Sequence, residues 1–228
     1  MARRRFFVDA VHHGRALLAG DEVHHLRKVL RAERGQRFEL SDNHSVYLAE
    51  IEDFGKDQVV FRVLDKLPAE EPPRRVTLYA ALFKFDRFEW LVEKATELGA
   101  GRIVPVAAER TEKGLDQAAV KRLERWRRIA REASQQAHRA RLPEIAPPIP
   151  FAEALADPSA HRLFLDKTGT VTHFPVSAVA LLVGPEGGWT DAERAAALAA
   201  GWTAVSLGPL ILRAETAAIA ALAVVVSR

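Results

Sequence analysis

Apolar positions along the chain recur in two periods, and the change from one to the other divides it. Between Asp21 and Arg31, Val23, Leu26, Val29 and Leu30 fall at helical spacing behind an aspartate that is expected to cap, and Gly35 is expected to close the helix. Residues 37–40, 46–51 and 58–64 then alternate or run apolar, with the turn residues Asp42, Asn43 and Gly55 between them, so they read as strands of a small, mostly β module. Residues 67–75, Leu-Pro-Ala-Glu-Glu-Pro-Pro-Arg-Arg, break both periods and read as a linker. The expected domains are therefore 1–68 and 73–228.

Beyond the linker, apolar strands alternate with helical stripes. A strand at 76–82 is followed by a helix from Arg87, with Phe88, Leu91, Val92, Ala95 and Leu98 on one face and Gly99 at its end. A strand at 102–107 precedes a helix predicted over 116–138, with Val120, Leu123, Ile129 and Ala133 inward and arginines outward. Pro147, Pro148 and Pro150 mark a loop, and buried strands are expected at 161–166 and 178–183. Thr190 and Glu193 have the spacing of a capping box, Gly201 ends that helix, residues 204–207 form a strand, and an alanine-rich helix closes the chain over 214–226. Strand and helix alternating at this spacing give an α/β domain with a parallel sheet.

At 228 residues the chain is long enough for two small domains, and it contains no cysteine, which excludes disulfides and thiolate metal sites. The longest apolar run, 217–226, is half the roughly 20 residues a membrane span needs. No membrane association is expected, and the setting is expected to be cytoplasmic. Charge is more informative than composition: residues 1–37 carry +5 and residues 121–141 carry +6, leaving −8 on the rest of a chain whose net charge is +3. Two basic stretches on an otherwise acidic body suit a polyanionic partner, since phosphate contacts supply most sequence-independent affinity for nucleic acid, although solvated helix faces also look like this. Arg27 and Arg31, four apart on the predicted helix, are placed for phosphates. His24 and His25 form no metal site, because adjacent helical side chains diverge and no carboxylate completes a set.

The chemistry concentrates in two glycine-bearing turns, each after an apolar strand: Gly184-Pro-Glu-Gly-Gly188, and Leu207-Gly-Pro-Leu-Ile-Leu-Arg-Ala-Glu-Thr216. A residue without Cβ lets backbone approach a ligand closely, and a branched side chain at Gly187 is expected to block that approach. Neither turn matches a phosphate-loop or dinucleotide fingerprint. The sequence L-L-V-G-P-E-G-G, followed after roughly twenty residues by L-G-P-L-I-L-R-A-E-T-A, resembles the RsmE family, which methylates N3 of a uridine in 16S ribosomal RNA and belongs to the SPOUT methyltransferases. His24-His-Leu-Arg-Lys-Val-Leu-Arg31 is similar to a stretch of that family's N-terminal RNA-binding domain, and residues 132–145 resemble a further family pattern, with Gln135 where the pattern carries an acid.

The resemblance implies a SPOUT-type trefoil-knot domain with a parallel sheet, a PUA-like N-terminal β-barrel domain, S-adenosylmethionine as cofactor, 16S rRNA or the small ribosomal subunit as partner, and a homodimer; Ala220 and Val224, one turn apart on the apolar closing helix, face either the partner copy or the chain's own core. It implies cofactor contacts at Leu165, Leu182, Gly184, Pro185, Glu186, Gly187, Leu207, Gly208, Leu210, Leu212 and Arg213, with Leu165, Leu182 and Leu210 as apolar walls. RNA contacts are expected at Arg3, Arg4, Arg5, His25, Arg27, Arg31 and Arg139. Methyl transfer requires alignment of the nucleophile and loss of its proton, so Arg213, Glu215 and Glu186 are the candidate catalytic side chains. Arg213 would stabilise the uridinate or pair with Glu215 or Glu186, and either carboxylate would accept the proton or anchor the arginine. Another SPOUT specificity, ribose 2′-O or pseudouridine, and a non-enzymatic RNA-binding role are the alternatives.

Overall fold

Backbone hydrogen bonding follows the two periodicities and produces two separate sheets. The computed structural model describes residues 4–69, 75–170 and 179–226. The chain divides into two units, Met1–Glu71 with Ser134–Leu142, and Pro72–Ala133 with Pro143–Arg228. Residues 70–74 of the expected linker lie outside the described residues, as do Arg3 and Ala178.

The first unit is built on a six-stranded sheet of β1 (Arg5–Phe7), β2 (Val11–His12), β3 (Arg15–Ala19), β4 (Arg37–Ser41), β5 (Val46–Phe54) and β6 (Gln58–Leu67), in the order β1-β4-β5-β6-β3-β2. Among the described residues of this sheet, only the β1–β4 pair is parallel. Strands β1, β2 and β3 have no counterpart in the sequence reading; β1 and β2, at the two edges, are too short for alternation to register. Phe38 meets Phe6 and Phe61 edge to face in the core, where offset ring geometry adds to area burial.

The helix of this unit departs from expectation. Helix α1 (Asp21–His24) is preceded by Gly20 in the cap position, and Asp21, the expected cap, is the first helical residue with no capping hydrogen bond. From His25 to Val29 the backbone widens into a π-turn, with the Leu30 amide donating to the His25 carbonyl at 3.0 Å. The extra residue per turn rotates the stripe, so Leu26 is buried while Val29 is 63% exposed. Arg31 then takes a left-handed conformation, φ 50°, and ends the element before Gly35.

The second unit holds a parallel sheet of β7 (Val76–Ala81), β8 (Arg102–Ala107), β9 (Glu144–Ile145), β10 (Ile149–Pro150), β11 (His161–Thr170), β12 (Val179–Val183) and β13 (Thr203–Val205). Its order is β10-β8-β7-β12-β11-β13, with β9 also paired to β8. Although β11 precedes β12 in sequence, β12 lies between it and β7. Strand alternation supplies two cores. Val76, Leu78 and Ala80 face one side with Leu181, Val183 and Leu163, whereas Tyr79 and Ala81 face the other with Leu182 and Phe164.

Helices α2 (Phe85–Glu97), α4 (Leu123–Gln136) and α7 (Ala214–Val226) contribute to the first core, while α5 (Phe151–Ala154) and α6 (Asp191–Ala199) contribute to the second. The helix predicted over 116–138 is broken in two, because α3 (Leu115–Val120) ends where the amides of Lys121 and Arg122 fold back to Ala118 and Ala119. That tighter turn puts Val120 outward, 55% exposed, and Trp126 rather than Val120 enters the core, 4.7 Å from Phe88 between ring centres. Helix α7 buries Ala214, Ala218, Ala221, Leu222 and Val225 along one stripe and packs on α2, β7 and β12. Ala220 and Val224 are each partly exposed.

Candidate functional site

All strands of the second sheet run parallel, so the loops after β7, β8, β11, β12 and β13 emerge at one edge, where open α/β sheets bind ligands. The two glycine turns follow β12 and β13, the strands on either side of β11. They are therefore brought together by the sheet, although helix α6 separates them in sequence.

In the first turn the Gly188 amide donates to the Pro185 carbonyl at 2.8 Å, and Gly188 takes φ 70°. Gly184 lies against the indole of Trp189, and an added Cβ would come within 3.0 Å of the ring. Trp189 is itself buried, and its Nε1–H donates to the Leu165 carbonyl at 2.9 Å, tying the turn to β11. The expected capping box is present: the Glu193 amide donates to Thr190 Oγ1 at 3.2 Å, and the Thr190 amide to Glu193 Oε2 at 2.9 Å. Glu193 has a second task, since its Oε1 accepts the Glu109 amide at 2.8 Å from the loop after β8.

Gly187 does not take a left-handed conformation. A Cβ there would meet the Arg110 side chain, at 3.3 Å from Cδ, so the positive-φ demand falls on Gly188 and, in the second turn, on Gly208 at φ 127°. The second turn is closed by Ser206, whose hydroxyl accepts the Gly208 amide at 3.2 Å and donates to the Gly208 carbonyl at 3.1 Å. Leu207 packs on the core, whereas Leu210 and Ile211 stand out at 80% and 95% exposure and Leu212 is also exposed.

The three leucines expected as pocket walls are not brought to one wall. Leu182 is completely buried in one core, Leu165 packs against the core on the opposite face, and Leu210 projects outward. Parallel pairing of Phe164 with Leu182 fixes this, because Leu165 then has the opposite parity.

Charge at the turns is also arranged differently from expectation. Arg213 is exposed and forms no ion pair with another described residue. Its expected partners go instead to Arg87 of α2, whose guanidinium pairs with Glu186 and lies 3.9 Å from Glu215. Glu215 is buried, and its Oε2 has no hydrogen-bond partner among the described residues. Arg110, from the loop after β8, donates to the Gly187 carbonyl at 2.5 Å. The sequence reading missed Arg87, Arg110 and Glu109. Their signal was position, as charged residues just past β7, which neighbours β12, and past β8, the next strand out.

Taken by itself, the first unit redistributes the basic residues named from sequence. Arg27 is engaged by the fold, since it donates to the carbonyls of Gly55 and Lys56 and stacks 5.4 Å from the centre of the Phe54 ring. Arg31 has left the helix, so the expected shared helical face of Arg27 and Arg31 does not exist. Arg5 is mostly buried between Glu39 and the His138 carbonyl, which removes it as a phosphate contact. Arg4 lies 2.7 Å from Nε2 of His25, and Arg139 donates to the Arg141 carbonyl at 3.1 Å. Gln135, where the family pattern has an acid, donates through its amide to Glu22, a contact a second carboxylate would turn into repulsion.

Residues 70–226 match the model of an RNA methyltransferase domain, and residues 18–64 that of an RNA methyltransferase PUA domain. The ribosomal RNA small subunit methyltransferase E of Synechocystis is 38% identical over 217 residues, 89% of this chain and 69% of its own. The chain belongs to the ribosomal RNA small subunit methyltransferase E family. The Bacillus subtilis member is 31% identical over 91% of this chain and 88% of its own. A crystal structure of the Neisseria gonorrhoeae member, bound to S-adenosylmethionine, superposes with TM-score 0.89 at 32% identity, covering 97% of this chain and 95% of that one. The Legionella pneumophila putative methyltransferase, also holding that cofactor, gives 0.89 at 30% identity over 99% and 97%. The fold is thus of the class the motifs implied, a SPOUT-type α/β domain with a PUA-like N-terminal sheet, and the chain is an RNA methyltransferase. Among the described residues no helix is long and apolar enough to cross a membrane.

Proposed function

We propose that this chain transfers the methyl group of S-adenosylmethionine to N3 of a uridine in 16S ribosomal RNA, in the cytoplasm and as a homodimer. The observation that carries the reading is the pair of glycine turns set side by side on β12 and β13, in a family whose Neisseria member is bound to that cofactor. Gly184, Pro185, Glu186 and Gly187 in the first turn, with Leu207, Gly208, Leu212 and Arg213 in the second, hold the cofactor through their backbone groups. The role of Leu182 is confined to its main chain, since its side chain belongs to the core.

The reaction needs the uridine N3 brought in line with the methyl carbon and its proton removed. Arg213, exposed and without an ion pair among the described residues, is available to stabilise the charge that develops as N3 loses that proton. Glu215, with one oxygen unpartnered among the described residues, is the better placed proton acceptor, whereas Glu186 is held by Arg87. RNA is gripped by the unit around residues 1–68, through Arg4, His25 and Arg31 and with Arg139, and the chemistry belongs to residues 73–228. The exposed Leu210 and Ile211 next to the second turn suit a subunit contact.

The decisive experiment incubates the protein with S-adenosylmethionine and either naked 16S rRNA or small subunits lacking the modification, followed by mass mapping of nucleotides. One new N3-methyluridine is expected. A methyl group on ribose or on no nucleotide refutes the reading, and a monomer mass by light scattering of an active sample refutes the dimer.

A further inference from the structure

Arg87, near the start of α2, is the point at which the two glycine turns meet. Its Nη1 pairs with Glu186 of the first turn, and its Nε lies 3.9 Å from Oε1 of Glu215, the second residue of α7 and the one that follows the second turn by a single position. The two carboxylates are held in different environments. The Glu186 side chain is 45% exposed, that of Glu215 only 8%, and Glu215 Oε2 is buried without a hydrogen-bond partner among the described residues. A buried carboxylate with an idle oxygen is costly unless an opposite charge faces it. Arg87 is the counter-charge that the ion pairs among the described residues provide, assisted by the free amides of the first turn of α7.

From this geometry we infer that Arg87 is a positioning residue for methyl transfer: its guanidinium ties the two turns together and holds Glu215 so that Oε2 is left for a bound reactant. The inference rests on the reading of the two turns as the cofactor and reaction site. It separates two uses of arginine at one edge of the sheet. Arg213 is exposed and without an ion pair among the described residues, whereas Arg87 is committed to protein carboxylates and acts through them. A planar guanidinium can serve both carboxylates at once, and a lysine ammonium holds only one firmly.

The test is a double-mutant cycle of Arg87→Ala and Glu215→Gln, read by single-turnover methyl transfer, by KM for rRNA and by the thermal unfolding midpoint without ligand. Arg87→Ala is expected to slow transfer by roughly 100-fold with KM for rRNA within about threefold of wild type, since the residue meets carboxylates rather than phosphate. Adding Glu215→Gln should slow the reaction less than about threefold further, because residues acting as one unit are not additive. The double variant should unfold at a higher temperature than Arg87→Ala alone, because the stranded buried carboxylate has been removed. Millimolar guanidinium ion should restore part of the Arg87→Ala rate and none of the double variant's.

If Arg87→Ala does not fold, Arg87→Lys takes its place, with a rate loss of about tenfold expected; a wild-type rate for that variant overturns the inference. Effects of the two substitutions that multiply, or a loss confined to KM for rRNA, also overturn it while leaving the wild-type enzyme active. A wild-type protein that transfers no methyl group overturns both this inference and the function on which it rests.

Discussion

Replacing Gly184 by alanine tests whether the first turn is held to β11 through Trp189. The new Cβ would lie 3.0 Å from Cε2, 3.1 Å from Nε1 and 3.3 Å from Cδ2 of the indole, so the ring has to yield. It has little room to do so. Trp189 is 2% exposed, packs on Phe151 with ring centres 5.2 Å apart, and donates its indole N–H to the Leu165 carbonyl. Overpacking in a filled core costs about 1–3 kcal/mol, and a stretched buried hydrogen bond adds about 1 kcal/mol. For a unit of this size each kcal/mol lowers the midpoint by about 2–4 °C, so a fall of roughly 4–16 °C is expected. The assay is thermal unfolding followed by circular dichroism at neutral pH, with S-adenosylmethionine calorimetry on the same samples. Affinity should fall with stability, because the displaced turn carries Gly184 to Gly187. Trp189→Leu in the same chain makes space and should recover part of the loss beyond its own cost. If Gly184→Ala unfolds within a degree of wild type and binds the cofactor equally, the steric argument is wrong.

Arg213→Ala should leave the unfolding midpoint unchanged, as the side chain is exposed and unpaired among the described residues, while single-turnover methyl transfer falls by about 10²–10³-fold; an unchanged rate removes Arg213 from the chemistry. Burial alone would raise the Asp166 pKa, but hydrogen bonds from the Thr168 hydroxyl and amide and the Arg194 guanidinium outweigh it and hold the group below its ordinary 3.8. The stability it contributes is therefore present above about pH 4 and is lost as pH falls through the lower folded value; Asp166→Asn should destabilise at neutral pH and flatten the acid limb of a midpoint-against-pH curve. In the first unit, Arg27→Ala should lower stability by about 1 kcal/mol through its lost carbonyl and ring contacts. Arg31→Gly should instead relieve a positive φ and reduce the salt slope of rRNA binding by about one unit; equal slopes with and without Arg31 exclude it as a phosphate contact.

The local pattern of residues was enough to place most of β4 to β8, β12, α2, α6 and α7, along with the capping box at Thr190 and the two glycine turns. These are features of period and cap chemistry, which neighbouring residues determine among themselves. The π-turn at His25 and the break at Lys121 escaped because each changes the number of residues per turn, so Val29 and Val120, apolar at the right spacing, end up facing solvent. Only the tertiary structure decided what stands opposite what. Insertion of β12 between β7 and β11 puts Leu165 and Leu182 on opposite faces and places the ends of β7 and β8 beside the turns. Arg87 and Arg110 thereby reach Glu186, Glu215 and Gly187 from about a hundred residues away, a pairing no local period encodes because it depends on the order in which the strands were laid down. Arg213, within the motif and legible from it, had those carboxylates as its alternative partners, and the fold gives them to Arg87.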